Sequence, residues 1–269
     1  MTVQVFRQKG GGAAKARNCA LAHARNEIIV FTGDDIVPTP EFLSGHLEGH
    51  NRYPEKQQAL LGKIEWHPKV RLNPLMRYVT EIEPYQFGYG FMKKHEGISH
   101  NFFYGSNISM KRAFLEESGE RFDERFHNAT YDDIEFGYRL LKRHAVNIIF
   151  EKSILGYHYH RMDLPAFYER LFKAGRTAVL FDTIHPGTFS KTIAEATALG
   201  KSYQHLPREV LRFYRRNNVR AWNRRAPKGE RDPHTKIENL FLREVLELAF
   251  LSGVQDALRL KKREVGSLV

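Results

Sequence analysis

One short apolar segment that ends in two carboxylates constrains the fold of this chain more than any other feature. The segment Ile28–Thr32 has apolar residues on both faces, which predicts a strand buried within a parallel sheet. Asp34 and Asp35 follow it directly after a glycine. Ligands of open α/β sheets bind beyond the carboxyl ends of such strands, and carboxylates there are suited to hold a divalent cation. The alternative is a polar turn, because Gly-Asp followed by Pro38 is common turn chemistry.

The rest of the chain predicts an α/β protein with a mainly parallel sheet flanked by helices, followed by a helical extension. After Leu164 the pattern is wholly helical, so we expect one domain over residues 1–185 and a basic helical region over 186–269. Further strands are predicted at residues 1–7, 60–66, 105–110, 147–150 and 156–160. Helices are predicted at residues 13–25, after Pro40, from 111 to 119 and from 130 onward.

Composition limits the classes of protein that this chain can belong to. An apolar fraction of 42% is enough for a hydrophobic core. A single cysteine, Cys19, excludes an internal disulfide framework and favours a reducing compartment. No run of residues has the length of a membrane-spanning helix, and the start does not resemble a signal peptide. We therefore expect a cytoplasmic protein.

The formal charge of +11 is concentrated near the C-terminus, where residues 201–269 carry 16 Lys and Arg against 8 Asp and Glu. This excess predicts either an anionic partner or a solvated helical surface. Arginines that alternate with apolar residues are typical of an interfacial helix, so we expect peripheral contact with the inner face of a membrane. No nucleic-acid module is recognisable, and no nucleic-acid partner is expected. The arginines concerned are Arg212, Arg215, Arg216, Arg220, Arg224 and Arg225, beside Leu211, Phe213, Tyr214 and Trp222.

Two polar groups occupy the first part of the chain. A glycine-rich turn, Gly10–Gly12, precedes a helix that carries Arg17 and Asn18. Such a turn offers backbone N–H groups to a phosphate, and the cations of the helix add to the attraction. Side chains alternate along an extended segment, so we expect Asp35 to reach a metal directly and Asp34 to act nearby.

Two more polar groups occupy the second part. Asp132 and Asp133 could supply a general base, while Thr130 three residues before Asp133 favours a helix-capping box instead. His158 and His160 share one face if the segment is extended. Neutral imidazoles are common metal ligands, so one of them could complete a carboxylate-bound cation site.

In this order, the motifs resemble a family 2 glycosyltransferase of the GT-A fold, over about residues 8–176. The family's glycine followed by Ala-Arg-Asn is similar to residues 12–18, and its strand ending in an acidic metal motif is similar to residues 28–43. Gly105-Ser106-Asn107 resembles its Gly-x-Asn strand. Residues 122–124 and 132–135 resemble its Phe-Asp-Glu and Glu-Asp-x-Glu patterns, and the late histidine matches His158 or His160.

The resemblance implies inverting transfer of a sugar from a nucleotide-diphospho-sugar to a hydroxyl of a polysaccharide or lipid-linked acceptor in the cell envelope. Asp133 would be the base that deprotonates the acceptor, with Asp132 beside it. Asp35 and a histidine from His158 and His160 would hold Mn²⁺ or Mg²⁺ on the diphosphate, where the ion neutralises charge on the leaving group. The residues implied to bind the nucleotide-sugar are Arg17, Asn18, Asp34, Asp35 and Asn107.

The chain departs from the family pattern in two places. Gly33 stands where the first acid of the metal motif is usual. The family's opening strands, which bind the nucleotide base, have no counterpart, so the GT-A fold is expected to be truncated at its N-terminus. The alternative function is therefore a non-catalytic remnant that binds a sugar or a partner chain.

Overall fold

The computed structural model describes residues 3–92, 97–127, 130–198 and 233–266. They divide into two compact units. The first unit is formed by Met1–Arg71 with Glu83–Arg161, and the second by Leu72–Ile82 with Met162–Val269. The basic segment predicted as an interfacial helix, residues 211–225, lies outside the described residues. The predicted domain boundary after residue 185 stays a prediction.

In chain order the elements are α1 (Gly12–His23), β1 (Ile28–Thr32), β2 (Ile36–Pro38), α2 (Phe42–Arg52), β3 (Gln58–Trp66), α3 (Pro74–Arg77), β4 (Asn107–Lys111), α4 (Arg112–Ser118), α5 (Asp132–His144), β5 (Asn147–His158), α6 (Leu164–Ile184), α7 (Ser190–Ala198) and α8 (Pro233–Gly266). A π-helical turn, Tyr78–Ile82, follows α3, and 3₁₀ turns occupy Tyr89–Phe91 and His100–Phe102. The predicted α/β class and the helical C-terminal part are confirmed.

The sheet of the first unit is mixed, which corrects the expectation of a mainly parallel sheet. Its strand order is β1-β4-β3-β5-β2, and only the β3–β5 pair is parallel. Parallel neighbours require a connection that crosses over to the opposite end of the sheet. Residues 67–106 instead return the chain to a point beside the middle of β3, and β4 then runs back toward the start of β3, with Leu61 opposite Ile108 and Ala59 opposite Met110. The two strands are therefore antiparallel.

Strand β1 lies at one edge of the described sheet, not inside it. It pairs with β4, and only Phe31 is buried while Ile28–Val30 are half-buried. The strand predicted for residues 1–7 is also wrong over its described part, since residues 3–8 have no regular structure and Val3 and Val5 are exposed. An isolated extended segment does not satisfy its own backbone groups, so an apolar alternation alone does not make a strand.

Strand β5 replaces the two short strands predicted at 147–150 and 156–160. It runs through both, with a register irregularity opposite Gly62 and Lys63. Its last residue, His158, pairs with Ile36 of β2 and with Trp66 of β3. The end of β5 therefore brings the late histidine next to the acidic turn after β1.

The core of the first unit lies between the sheet and helices α1, α4 and α5. Periodic apolar residues of α5, with Phe136 and Leu140 both fully buried, cover one face of β3 and β4. The core residues include Ala14, Phe31, Ala59, Leu61, Ile108, Met110, Phe114, Leu115, Phe136, Leu140 and Ile148. This packing fixes where the first turn of α5 meets the sheet.

The second unit is helical and contains a close crossing of α6 and α8. Gly175 of α6 lies against the carbonyl of Phe250, and Gly253 of α8 lies against the carbonyl of Phe172. The two glycines let the backbones approach, because a Cβ at either position would overlap a carbonyl oxygen. Within the described ranges, no helix combines the length and apolar content that crossing a membrane demands.

At this crossing, a change from glycine to alanine is expected to lower the free energy of unfolding, which is the opposite of its usual effect in a helix. Alanine normally stabilises a helix interior by about 1 kcal/mol relative to glycine. Gly253→Ala is expected instead to lower the free energy of unfolding by about 2 kcal/mol, because the added methyl group must push the helices apart. Urea denaturation followed by circular dichroism measures the change, with Ser252→Ala as the matched control. A stabilised Gly253→Ala variant would show that the helices do not approach this closely.

Candidate active site

The turn between β1 and β2 places Asp35 beside His158. Register pairs Ile36 with His158, and the backbone N–H of Tyr159 donates to the carbonyl of Asp35 at 2.8 Å. The Nε2 of His158 donates to Asp35 Oδ2 at 2.9 Å. This hydrogen bond holds the pKa of Asp35 below its usual value, against the opposing effect of burial. His158 is buried, whereas Asp35 keeps 40% of its side chain exposed. His158 is thus held in place by its surroundings, whereas Asp35 is accessible to solvent.

The pair has the chemistry of a partial cation site. With the ring proton of His158 on Nδ1 and not on Nε2, it offers one carboxylate oxygen and one imidazole nitrogen 2.9 Å apart, a set of ligands suited to Mn²⁺ and acceptable to Mg²⁺. In the part of the chain that the structure describes, no group of three or more His, Cys, Asp or Glu side chains converges. The exposed ring of His160 lies 5.6 Å from that of His158, centroid to centroid. A bound ion would therefore take its other ligands from phosphate oxygens and water, as Mg²⁺ commonly does.

The neighbours of Asp35 in the turn explain the missing first acid. Asp34 is exposed at the surface of the turn. A Cβ at Gly33 would lie 2.7 Å from Asp35 Oδ1, so the carboxylate of Asp35 occupies the space that a side chain at position 33 would need. Glycine at this position lets Asp35 fold back over the turn.

Helix α5 begins in an unexpected way. Its N-cap is Tyr131, in the left-handed conformation at φ 62°, and no side chain caps the helix. The capping box predicted for Thr130 and Asp133 is therefore wrong. A left-handed backbone is costly for a bulky residue and occurs mostly where a site requires it. Here it turns the chain so that Asp132 and Asp133 form the first turn of α5, where the helix dipole favours negative charge.

Asp133 is held by backbone donors on both oxygens. Its Oδ2 accepts from the N–H of Gly105 at 2.9 Å, and its Oδ1 accepts from the N–H of Ile134 at 2.9 Å. The residue is half-buried, so the carboxylate is fixed in orientation and still reachable. Gly105 has no room for a side chain, because its Cβ would lie 2.8 Å from Arg17 Nη2 and 3.3 Å from Asp133 Cβ. This arrangement suits a general base.

Asp132 has a different environment from its neighbour. It is 4% exposed and forms an ion pair with Arg17. Burial, with the charge of Asp133, raises the pKa of Asp132 to about 6, while Arg17 opposes the shift. The Arg17 guanidinium also lies 5.3 Å from the centre of the Phe122 ring. Arg17 was predicted to contact the nucleotide; here it neutralises Asp132 next to the proposed base.

Asn18 and Asn107, both predicted to bind the nucleotide-sugar, form hydrogen bonds within the fold in this structure. Asn18 donates to the carbonyl of Phe122 at 2.9 Å and accepts from its N–H at 2.9 Å, which ties α1 to that segment. Asn107 is fully buried, accepts from His46 at 2.9 Å and donates to two strand carbonyls. Both the oxygen and the nitrogen of this buried amide are hydrogen-bonded within the fold, and the binding role predicted for Asn107 stays a prediction.

Aromatic residues of the irregular segment before β4 lie near both Asp133 and the Asp35–His158 pair. The ring of Phe87 lies 5.3 Å from that of His158 and 6.1 Å from that of Tyr104. Burial raises the pKa of Tyr104 to about 12, and the charge of Asp133 acts in the same direction. Tyr104 precedes Gly105, which binds Asp133. No periodicity or spacing marks these residues, because they meet only through the irregular segment before β4.

Comparison with known proteins gives one match to a family. Residues 2–119 match the model of glycosyl transferase family 2. The match includes Arg17, Asp34, Asp35 and Asn107, and it ends before Asp132. No sequence among the curated proteins matches this chain significantly. The arrangement of Asp133 and His158 is therefore known from the geometry alone.

Solved structures give distant likenesses. S. aureus TarS 1-349 in complex with UDP-GlcNAc is 13% identical, with a TM-score of 0.46, over 96% of this chain and 75% of that chain. S. aureus TarS is 14% identical, with a TM-score of 0.44, over 93% of this chain and 44% of that chain. Mannosyltransferase PcManGT from Pyrobaculum calidifontis, in complex with GDP-Man and Mn²⁺, is 14% identical, with a TM-score of 0.46, over 92% of this chain and 66% of that chain.

Proposed function

We propose that this chain, whose residues 2–119 match the model of glycosyl transferase family 2, transfers a sugar from a nucleotide-diphospho-sugar to an acceptor hydroxyl with inversion at the anomeric carbon. The observation that supports this most is the placement of an accessible carboxylate, Asp133, in the same unit as the Asp35–His158 pair. The acceptor is a polysaccharide or lipid-linked glycan, used in the cytoplasm at the inner face of the membrane.

The reaction forms one bond and breaks another, and Asp133 and the Asp35–His158 pair each assist one of these changes. The acceptor oxygen forms a bond to the anomeric carbon while the bond from that carbon to the diphosphate breaks. The proton of the acceptor hydroxyl goes to Asp133, which the N–H groups of Gly105 and Ile134 hold in place. The nucleoside diphosphate departs from the opposite face of the sugar, so the configuration inverts.

The departing diphosphate lies at the Asp35–His158 pair. Asp35 with His158, and His160 beside them, would hold Mn²⁺ or Mg²⁺. Such an ion supplies charge neutralisation on the leaving group. Arg17 stands near the base and offsets the charge of Asp132, so that Asp133 is not the neighbour of a second unpaired carboxylate. Asp34 is exposed in the same turn and is placed to contact the nucleotide.

Calorimetric titration with UDP and GDP, with and without Mn²⁺, tests the donor site. The wild-type chain is expected to bind one of the two nucleotides in a metal-dependent manner. Asp35→Ala is expected to weaken binding at least tenfold, because it removes the only carboxylate of the pair. Glu48→Ala, an exposed change on α2, serves as the matched control.

A folded wild-type chain that binds neither nucleotide would contradict the proposal. Metal-dependent binding without transfer or hydrolysis of any UDP- or GDP-sugar would instead support the non-catalytic alternative. Retention of metal-dependent binding in Asp35→Ala would show that the cation site lies elsewhere.

A further inference from the structure

Phe87 has a backbone conformation that is unfavourable for a residue with a bulky side chain. Its φ is 49°, in the left-handed region that bulky residues rarely adopt. The backbone around it is firmly held: the N–H of Tyr89 donates to the carbonyl of Phe87 at 2.7 Å, and the N–H of Gly88 donates to the Tyr104 hydroxyl. Tyr89 in turn accepts from the N–H of Ile64 at 3.1 Å. The surrounding structure thus maintains a strained residue, a combination that is concentrated at functional sites.

The ring of Phe87 lies near a residue of each chemical group of the site. Its centre is 5.3 Å from the ring of His158, the partner of Asp35. It is 6.1 Å from the ring of Tyr104, whose neighbour Gly105 binds Asp133. The ring centre of Trp66 lies 6.2 Å from that of Phe87. Phe87 remains half-buried, so part of its surface is accessible.

The direction of the reaction determines what must occupy this position. In an inverting displacement the anomeric carbon lies between the leaving diphosphate and the attacking hydroxyl. With the diphosphate at Asp35–His158 and the hydroxyl at Asp133, the sugar ring would contact both groups, and Phe87 lies near a residue of each. Aromatic rings contact the apolar faces of sugars through weak but collectively significant dispersion.

We propose that Phe87 contacts the hexose ring of the donor and positions its anomeric carbon for attack. This inference rests on the proposed function and deepens it, since it assigns a residue of the irregular aromatic segment to the transferred sugar. The left-handed backbone directs the ring of Phe87 toward the sugar. The ring also lies near Tyr104, which precedes the Gly105 that binds Asp133, and this fixes its position relative to Asp133. Phe87 contacts the substrate without exchanging a proton.

Three substitutions separate this role from simple packing. Phe87→Leu keeps an apolar side chain of similar size and loses the ring, and Phe87→Tyr keeps the ring. Phe87→Gly removes the side chain and also relieves the unfavourable φ. Phe102→Leu is the matched control, because its ring also lies 6.0 Å from Tyr104 but its backbone is not left-handed.

The experiment measures kcat and KM for hydrolysis or transfer with a panel of UDP- and GDP-sugars, together with urea denaturation. For Phe87→Leu, kcat/KM is expected to fall about a hundredfold, in kcat as well as KM, because a misplaced anomeric carbon slows the chemical step. Phe87→Tyr is expected to stay within about threefold of wild type, and UDP or GDP binding is expected to be unchanged in every variant. Phe102→Leu is expected to behave as wild type.

Two results would overturn the inference. Equal losses of kcat/KM in Phe87→Leu and Phe102→Leu would show that both phenylalanines contribute only to packing. A Phe87→Gly variant that loses as much stability as a core aromatic truncation would show that the ring supports the fold, and this readout holds whether or not any donor is turned over. The proposed function fails separately, in the wild-type chain, if no nucleotide binds.

Discussion

Asp133→Asn is expected to lower the rate of sugar transfer about 1000-fold, within the range of a lost general base. The amide cannot take the proton of the acceptor hydroxyl. Its single oxygen can still accept the N–H of Gly105, but its NH₂ group cannot accept the N–H of Ile134, so one of the two backbone hydrogen bonds to residue 133 is lost. Because the Asp35–His158 pair is untouched, binding of the nucleotide should keep its affinity and its dependence on metal.

The measurement is the initial rate of transfer at saturating donor, with calorimetric nucleotide binding in parallel. Glu48→Gln provides a control, since it removes a carboxylate at an exposed position of α2. If Asp133→Asn retained more than about a tenth of the wild-type rate, the base would have to be another group. Asp132 would be the first to test, because burial raises its pKa to about 6.

Acidification below pH 6.5 is expected to destabilise the first unit through two buried histidines of α2. His46 and His50 are 1% and 2% exposed, and burial lowers the pKa of each to about 4. His46 donates to Asn107 at 2.9 Å and accepts from Ser109 at 2.8 Å, while His50 donates to the same Ser109 oxygen at 2.9 Å. Protonation of His46 would leave the hydroxyl of Ser109 without its acceptor.

The sign of the pH dependence follows from these lowered values. The unfolded chain binds protons at these histidines below about pH 6.5, whereas the folded chain does not bind them until about pH 4. The stabilisation is fully present above pH 6.5 and is lost as the pH falls toward 4, by about 3 kcal/mol for each histidine. Their sum is comparable to the whole stability of a typical domain. Burial also lowers the pKa of His100, which adds in the same direction.

Urea denaturation between pH 7.5 and pH 4.5 measures this loss. The variant His46→Gln/His50→Gln is expected to show a shallower dependence of unfolding free energy on pH, whatever its stability at pH 7.5. His23→Gln, a change at an exposed histidine of α1, should keep the wild-type slope. Equal slopes in the wild-type chain and the double variant would assign acid sensitivity to other groups.

Local pattern was sufficient for the secondary elements that carry the motifs. The apolar run Ile28–Thr32 is a strand, and the acids that follow it do lie at a strand end beside the late histidine. These features depend on neighbours along the chain, where burial periodicity and turn chemistry act directly. The pairing of Asp35 with His158 needed the register of β2 against β5 as well.

Predictions based on local chemistry failed where a distant partner competed for the same group. Thr130 and Asp133 have the spacing of a capping box, yet the N–H of Gly105 binds Asp133 and Tyr131 takes the N-cap position. Asn107 follows the family pattern, and its predicted binding role stays a prediction, but its amide bonds to His46 and two strand carbonyls could not be foreseen from its neighbours in the sequence. A residue's own sequence neighbourhood does not reveal which long-range donor will reach it.

By itself, the sequence determined the α/β class, the helical C-terminal part and the family to which residues 2–119 are matched. Only the tertiary structure decided the mixed direction of the sheet, the pairing of Arg17 with Asp132 and the position of Phe87 near both His158 and Tyr104. The physical reason is the range of the interactions. Periodicity and turn propensity act over a few residues, whereas strand direction and the site depend on contacts between segments brought together by the irregular chain from residue 67 to 106.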